Sequence, residues 1–324
     1  MVDYSALRSL RSLNEAEATE ATEAPGSQLL NLAFMETSEL LKKVRKIEIK
    51  MKGLSKHLFS GEYHSAFKGR GMSFSEVRNY QYGDDVRNID WNVTARTGEA
   101  HIKIFEEERE LTVILLVDIS RSALFGTVQQ FKSEIITEIS ALVAFSAITN
   151  NDKVGLILFT DQIELFIPAK KGKQHILRII RELIDFEPKG KGTRIDKALQ
   201  YFQSIIKKRS ICFLISDFMG EGYEEPLRIA SRKHDLVGVR IADPAESTLP
   251  NIGLVHAVDA ETGSLNWVDT TSAKVRNTYA NWYAQNYQYY RNAFLKCGAD
   301  NLDILTTDSY TNALHQFFKK RSGS

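Results

Sequence analysis

From position 111 onward the chain alternates short apolar runs with amphipathic stretches. LTVILLVD (111–118), SICFLIS (210–216) and DLVGVRI (235–241) are apolar at successive rather than alternate positions. A strand reads this way when both of its faces are covered, as in a parallel sheet. VGLILFT (154–160) and IELFIPA (163–169) flank Asp161-Gln162 and predict a hairpin, as do LVHAVD and LNWVD around 260–264. LDILTT (302–307) predicts a last strand. Apolar residues at three- and four-residue steps predict helices over 128–149, 174–186, 194–208, 222–233, 272–297 and 309–320. In the first of these, Phe131, Ile135, Ile139, Leu142 and Val143 form the apolar face. Repeated βα units predict an α/β fold, doubly wound about a mostly parallel, Rossmann-like sheet.

The first third of the chain follows other patterns. Leu40, Val44, Ile47, Met51, Leu54 and Leu58 recur at helical steps and predict a helix over 36–60 with a solvated, lysine-rich opposite face. Residues 1–30 repeat Glu, Ala and Thr, stop at Pro25-Gly26-Ser27, and read as a flexible tail. Leu7, Leu10 and Leu13 leave a short partner-docking helix as the alternative there. Residues 61–110 lack a sustained helical period and predict short strands and turns, with a turn near Gly83-Asp84 and a strand at 100–105. The expected organisation is a tail (1–30), an N-terminal helical and β-rich extension packed on the main domain (31–110), and the main α/β domain (111–322).

Composition narrows the function classes. The chain has 324 residues, 43% of them hydrophobic, enough for a sizeable core. Lys and Arg number 42 against 41 Asp and Glu, so bulk electrostatics gives no support for a nucleic-acid partner. The two cysteines, Cys212 and Cys297, form no CxxC pair and suit a reducing compartment. No apolar run approaches the roughly 18 residues needed to span a bilayer, and no secretory h-region opens the chain. The expected location is cytoplasmic, without an integral membrane segment. Seven scattered histidines show no HExxH pairing, and His101 and His234 read as structural. Tyr279, Trp282, Tyr283, Tyr287, Tyr290 and Phe294 recur at helical steps and read as a packed stripe rather than a base-stacking platform.

In doubly wound sheets, ligands bind beyond the carboxyl ends of the strands. Asp118-Ile119-Ser120-Arg121-Ser122 follows the first buried strand, Gly192-Thr193 opens a later helix, and Ser216-Asp217 follows another buried strand. Asp118, Ser120 and Ser122 stand at i, i+2 and i+4, so one extended turn can aim all three at a point, with Thr193 and Asp217 arriving from neighbouring loops. Two carboxylates and three hydroxyls suit Mg²⁺ or another hard divalent cation, and leave it electrophilic. An open coordination position then takes a carboxylate from a partner. The plainer reading is that Asp118, Ser120 and Asp217 only cap helices and close turns.

The DxSxS set with a distant Thr and a distant Asp resembles the metal-ion-dependent adhesion site of von Willebrand factor type A domains. That resemblance implies that Asp118, Ser120, Ser122 and Thr193 bind or orient a metal, and that Asp217 acts directly or through water. Arg121, between the serines, adds positive charge or points outward to a partner. A second resemblance lies upstream. Arg78, Tyr80, Gly83, Asp84, Arg87, Ile89, Asp90, Trp91, Ala95 and Arg96 follow the R-x-Y-x-x-G-D-x-x-R-x-I-D-W-x-x-x-A-R pattern of the bacterial domain-of-unknown-function family 58. Members carry it just before a von Willebrand A-like domain, and the resemblance covers roughly 60–320.

Read as residues, this signature pairs Arg78, Arg87 and Arg96 with Asp84, Asp85 and Asp90, with Tyr80, Tyr82 and Trp91 packed beneath. It serves either as an ion-pair lattice or as a partner-binding face through Arg78, Arg87 and Arg96. The resemblance implies a non-enzymatic, metal-dependent protein-binding module, a companion of a MoxR-type AAA ATPase in assembly or maturation. The alternative is a metal-dependent, phosphoesterase-like hydrolase using Asp118. Haloacid-dehalogenase-type phosphatases place a second Asp two residues after the first, where Ser120 stands here, so the general acid is missing. No GxGxxG or P-loop follows a strand.

Overall fold

The computed structural model describes residues 25–55, 67, 72–107, 110–124, 131–258 and 265–322. The Leu7–Leu10–Leu13 stripe, the end of the helix expected to reach position 60, the start of the one expected at 128, and the 260–264 turn lie outside them.

A six-stranded sheet forms the centre, in the order β10-β7-β6-β3-β4-β5. Its strands are β3 (Thr112–Asp118), β4 (Lys153–Phe159), β5 (Ile163–Lys170), β6 (Ile211–Ser216), β7 (Asp235–Ala242) and β10 (Asp300–Leu305). All neighbours run parallel except β5, which returns antiparallel as the second arm of the expected hairpin. The continuous apolar runs are explained by two cores, one on each face. Val113, Leu115, Val117, Phe213 and Val239 face one of them, and Ile114, Leu116, Cys212 and Leu214 face the other.

The first core is covered by α1 (Pro25–Leu54), α3 (Lys132–Thr149), α4 (Lys173–Asp185) and α8 (Tyr310–Ser322). The second is covered by α5 (Ile195–Ile205), α6 (Glu224–Lys233) and α7 (Ala273–Cys297). α3 lies between the sheet and the outer helices and is buried on every side from Ile139 to Ala147, a stretch that is accordingly apolar but for Ser140 and Ser146. Phe131 caps its start and is exposed, outside the apolar face assigned to it.

The helix expected over 36–60 begins at Pro25, inside the stretch read as tail. Proline is at home in a first helical turn, where its fixed φ fits and no N–H is needed. Lys50 of this helix bonds Glu138 of α3 at 2.7 Å, and Lys173 of α4 reaches Glu48 at 2.6 Å. The last strand begins at Asp300, earlier than its apolar pattern indicated, because the polar Asp300 and Asn301 pair with Val237 and Gly238 at the sheet edge. On β7, Gly238 lies under the Phe294 ring, where a Cβ would come within 2.4 Å of ring atoms. Tyr290 and Phe294 are buried against Phe218, so the C-terminal end of the aromatic stripe of α7 is core, whereas Tyr279, Tyr283 and Tyr287 are half-buried and Trp282 is exposed. Among the described residues no helix is long and apolar enough to cross a membrane.

The extension contains β1 (Met72–Asn79) paired antiparallel with β2 (His101–Glu107). Between them lie a 3-10 turn (Val86–Asn88) and a short helix, α2 (Trp91–Thr97). α2 is a correction to the reading of strands and turns alone. At seven residues it is too short to show a period, and Asp90 starts it by accepting from the Asn92 and Val93 N–H groups. A second hairpin, β8 (Leu254–Val258) with β9 (Leu265–Asp269), follows β7 as expected.

His234 ends α6, bonds Ser210 Oγ at 3.0 Å and packs on Phe202. Burial, followed by nearby Lys233 and Arg209, pushes its pKa down to about 4. The imidazole is therefore neutral in the fold and charges more readily when unfolded. Stability from this group is intact above the ordinary value of 6.5 and is lost as pH falls toward 4. In urea titrations, the stability advantage of wild type over His234→Gln should shrink by about 2 kcal/mol between pH 7 and 5; a pH-independent difference would contradict this.

Candidate functional site

β3 and β6 are neighbours, yet their following helices, α3 and α6, pack on opposite faces of the sheet. Such a reversal opens a crevice at the carboxyl ends of the two strands. Asp118 ends β3 and Asp217 directly follows β6, so the crevice carries one carboxylate on each lip. Both are buried.

Each acid is held in place. Asp118 accepts from Ser216 Oγ at 2.6 Å and from the Ser120 N–H at 2.9 Å. Burial, then the charge of Asp217, pushes its pKa up to about 6. Asp217 accepts from the Met219 N–H at 3.2 Å and from the Ser122 hydroxyl, and its Oδ2 lies 3.2 Å from Lys132 Nζ. Burial opposes its ionisation, but the Lys132 ammonium and these donors outweigh it and hold the carboxyl below the usual range. Ser120 Oγ and Ser122 Oγ stand 3.0 Å apart. Phe218 takes a positive φ of 55°, an uncommon conformation for a bulky residue, and its ring is locked 4.6 Å from that of Tyr290. That plug fixes the direction in which Asp217 leaves the strand.

Thr193 comes from the loop before α5. Glu164 Oε1 accepts from the Gly190 N–H (2.7 Å) and Thr160 Oγ1 (2.8 Å), and the Arg194 N–H bonds Thr160 O at 3.0 Å. A Cβ at Gly190 would fall 2.0 Å from Asp161 Oδ1, so only glycine lets the loop come this close. These bonds seat the loop on the end of β4, the other neighbour of β3. The Thr193 hydroxyl is buried and makes no hydrogen bond.

Four of the five residues assigned to a metal, Asp118, Ser120, Ser122 and Asp217, thus share one network with Ser216. Thr193 stands at the adjoining strand end, unbonded to them. The donors are oxygens of the kind a hard cation takes, and the orphaned Thr193 hydroxyl is a donor without an occupant, so these residues fit Mg²⁺. Among the described residues no three His, Cys, Asp or Glu side chains form a metal-holding group.

The strand-end rule reached only part of the network. Lys132, the first residue of α3, bonds Glu246 at 2.6 Å as well as Asp217. Glu246 belongs to a capping box with Asp243 after β7, and Asp243 accepts from Thr306 Oγ1 at 2.9 Å beyond β10. Burial raises the pKa of Glu246 against the pull of Lys132. Burial also opposes the charge on Lys132, but Asp217 and Glu246 more than restore it. Asp243 follows an apolar strand just as Asp118 and Asp217 do, and the same rule would have found it. Lys132 carries no such signal.

The signature residues behave differently from the expected lattice. Arg78 makes a bidentate pair with Asp84 (2.7 and 2.8 Å), which also accepts from the Gln81 N–H. The Arg78 hydrogen bonds, then that N–H, hold the Asp84 carboxyl below the usual range. The other two pairs do not form: Asp85 and Asp90 accept from backbone N–H groups at the starts of the 3-10 turn and α2, and the second oxygen of Asp90 lies 3.7 Å from Lys103 Nζ. Arg87 and Arg96 are exposed and make no ion pair among the described residues. Tyr82 and Trp91 do not pack beneath them: Trp91 is 69% exposed and Tyr82 wholly so. Arg121 is also exposed.

A family described as "Protein of unknown function DUF58" matches residues 76–289, a span holding both the signature and the crevice. An uncharacterized protein of Mycobacterium tuberculosis is 28% identical over 290 residues, covering 89% of this chain and 91% of its own. The uncharacterized protein YeaD of Bacillus subtilis is 30% identical over 109 residues, 34% of this chain and 25% of its own. A crystal structure of the conserved hypothetical protein BatB from Bacteroides thetaiotaomicron superposes with a TM-score of 0.44 at 18% identity, covering 66% of this chain and 100% of that one.

A buried hydroxyl without a partner costs stability. Thr193→Val should therefore leave the metal-free protein unchanged or more stable by up to about 1 kcal/mol in urea denaturation. A loss of that size would show that the hydroxyl has a partner.

Proposed function

The chain belongs to the DUF58 family of proteins of unknown function, and from that footing we propose that it is a von Willebrand A-like, non-enzymatic module that binds a protein partner through a hard divalent cation. The observation that carries this reading is the donor set: two buried carboxylates, Asp118 and Asp217, joined through hydroxyls at a strand-order reversal, with a further buried hydroxyl, Thr193, left unbonded. Asp118, Ser120, Ser122 and Thr193 would hold the metal, with Asp217 acting on it directly or through water. A bound Mg²⁺ supplies a Lewis-acidic position that a partner's carboxylate can complete.

The protein's own residues do the rest. Ser216 and the Ser120 N–H keep Asp118 from swinging away, and Phe218 fixes the loop that carries Asp217. Arg121, exposed between the two serines, draws an acidic partner toward the crevice. Arg87 and Arg96, with Trp91 and Tyr82, offer a second contact region of the residue types enriched at interfaces. Arg78 shapes that region through its pair with Asp84. The family resemblance suggests a MoxR-type AAA ATPase as the partner class, and the two unpaired cysteines suit the cytoplasm as the place of action.

Tagged protein should capture a MoxR-type ATPase in Mg²⁺ and lose it in EDTA, and Asp118→Ala should lose it in both. Equal capture under all conditions would remove the metal from the mechanism. Arg87→Glu/Arg96→Glu should reduce capture at least tenfold while leaving Mg²⁺-induced thermal stabilisation intact. Undiminished capture would assign those arginines no part in docking.

A further inference from the structure

The Lys132–Glu246 pair joins the crevice to the next strand end, and the metal reading alone gives it no role. Lys132 begins α3, where the positive end of the helix dipole disfavours a cation. It is 1% exposed, so water gives it almost no relief. It is tolerated because two carboxylates from two strand ends meet it, Glu246 at 2.6 Å and Asp217 at 3.2 Å. One ammonium is thus shared between an acid of the crevice and an acid outside it.

Resting on the metal reading above, we propose that this pair sets the affinity of the crevice for its divalent cation: Lys132 is a tethered counter-ion competing for Asp217, and Glu246 tempers that competition. Among the described residues, Asp217 and Glu246 meet the Lys132 ammonium while Asp118 is held only by neutral groups, so with all groups ionised these four side chains carry an excess of negative charge for a cation to balance. The same ammonium keeps Asp217 paired when no cation is bound, so the fold survives an empty crevice. Asp118 cannot serve this way, since its bonds run to Ser216 and the Ser120 N–H. Removing positive charge from a dry site should tighten cation binding, and removing the outer carboxylate should weaken it.

The test is Mg²⁺ titration calorimetry on the full chain, with circular dichroism to confirm folding, for wild type, Lys132→Met, Glu246→Gln and Asp118→Ala. Lys132→Met should bind Mg²⁺ at least tenfold more tightly than wild type, and Glu246→Gln at least tenfold more weakly. Opposite signs cannot arise from general damage, which weakens both. If Lys132→Met fails to fold, the isosteric Glu246→Gln decides alone, and an unchanged affinity there overturns the proposal. Weakening in both variants also overturns it. Binding that Asp118→Ala abolishes but neither other variant alters would sink the role of the pair and leave the metal reading standing. Absence of Mg²⁺ binding in every protein would sink both, whereas binding seen only in Lys132→Met would be the strongest form of the tethered counter-ion.

Discussion

Asp118 ends one parallel strand and Asp217 directly follows its neighbour, and the chain then turns to opposite faces of the sheet after each. That placement puts two like charges in a crevice shielded from water, where neither is tolerable alone. Much of the surrounding structure answers the constraint. Ser216 and the Ser120 N–H take Asp118, while Lys132, Ser122 and the Met219 N–H take Asp217. Lys132 in turn needs Glu246, which is held by the capping box after β7. Charge balance therefore links the ends of β3, β6 and β7, and Thr306 extends the link to β10 through Asp243.

The sheet was legible in the sequence because strands covered on both faces are apolar at nearly every position, a pattern that helices of this length rarely share. Asp118, Ser120, Ser122 and Asp217 were legible because a polar residue ending such a strand has few places to go except the carboxyl edge. Ser216 was visible beside Asp217 without a role, which its bond to Asp118 supplies. Lys132 was not legible: a lysine beginning a helix ordinarily faces water, and only the tertiary meeting with Asp217 and Glu246 explains its burial. The start of α1 was obscured by Pro25, which reads as a breaker but is equally a first helical residue.

Aspartates in the signature segment show how local chemistry overrides a plausible ion-pair count. Asp85 and Asp90 each sit just before a helical turn, so their carboxylates satisfy nearby N–H groups in preference to distant guanidinium groups. Arg87 and Arg96 are left to solvent, and only the Arg78–Asp84 pair of the expected lattice forms. A segment dense in charge thereby becomes a surface with exposed arginine and aromatic groups rather than a sealed structural joint.

A metal-dependent crevice requires oxygens from three loops to surround one cation. A crystal of the full chain grown in Mn²⁺, examined by anomalous scattering, tests this most directly. A peak bonded to Asp118, Ser120 and Ser122, with Thr193 and Asp217 turned toward it and Lys132 drawn back to Glu246, is the result expected. A crevice without such a peak at millimolar Mn²⁺, and with Lys132 still against Asp217, would contradict the account.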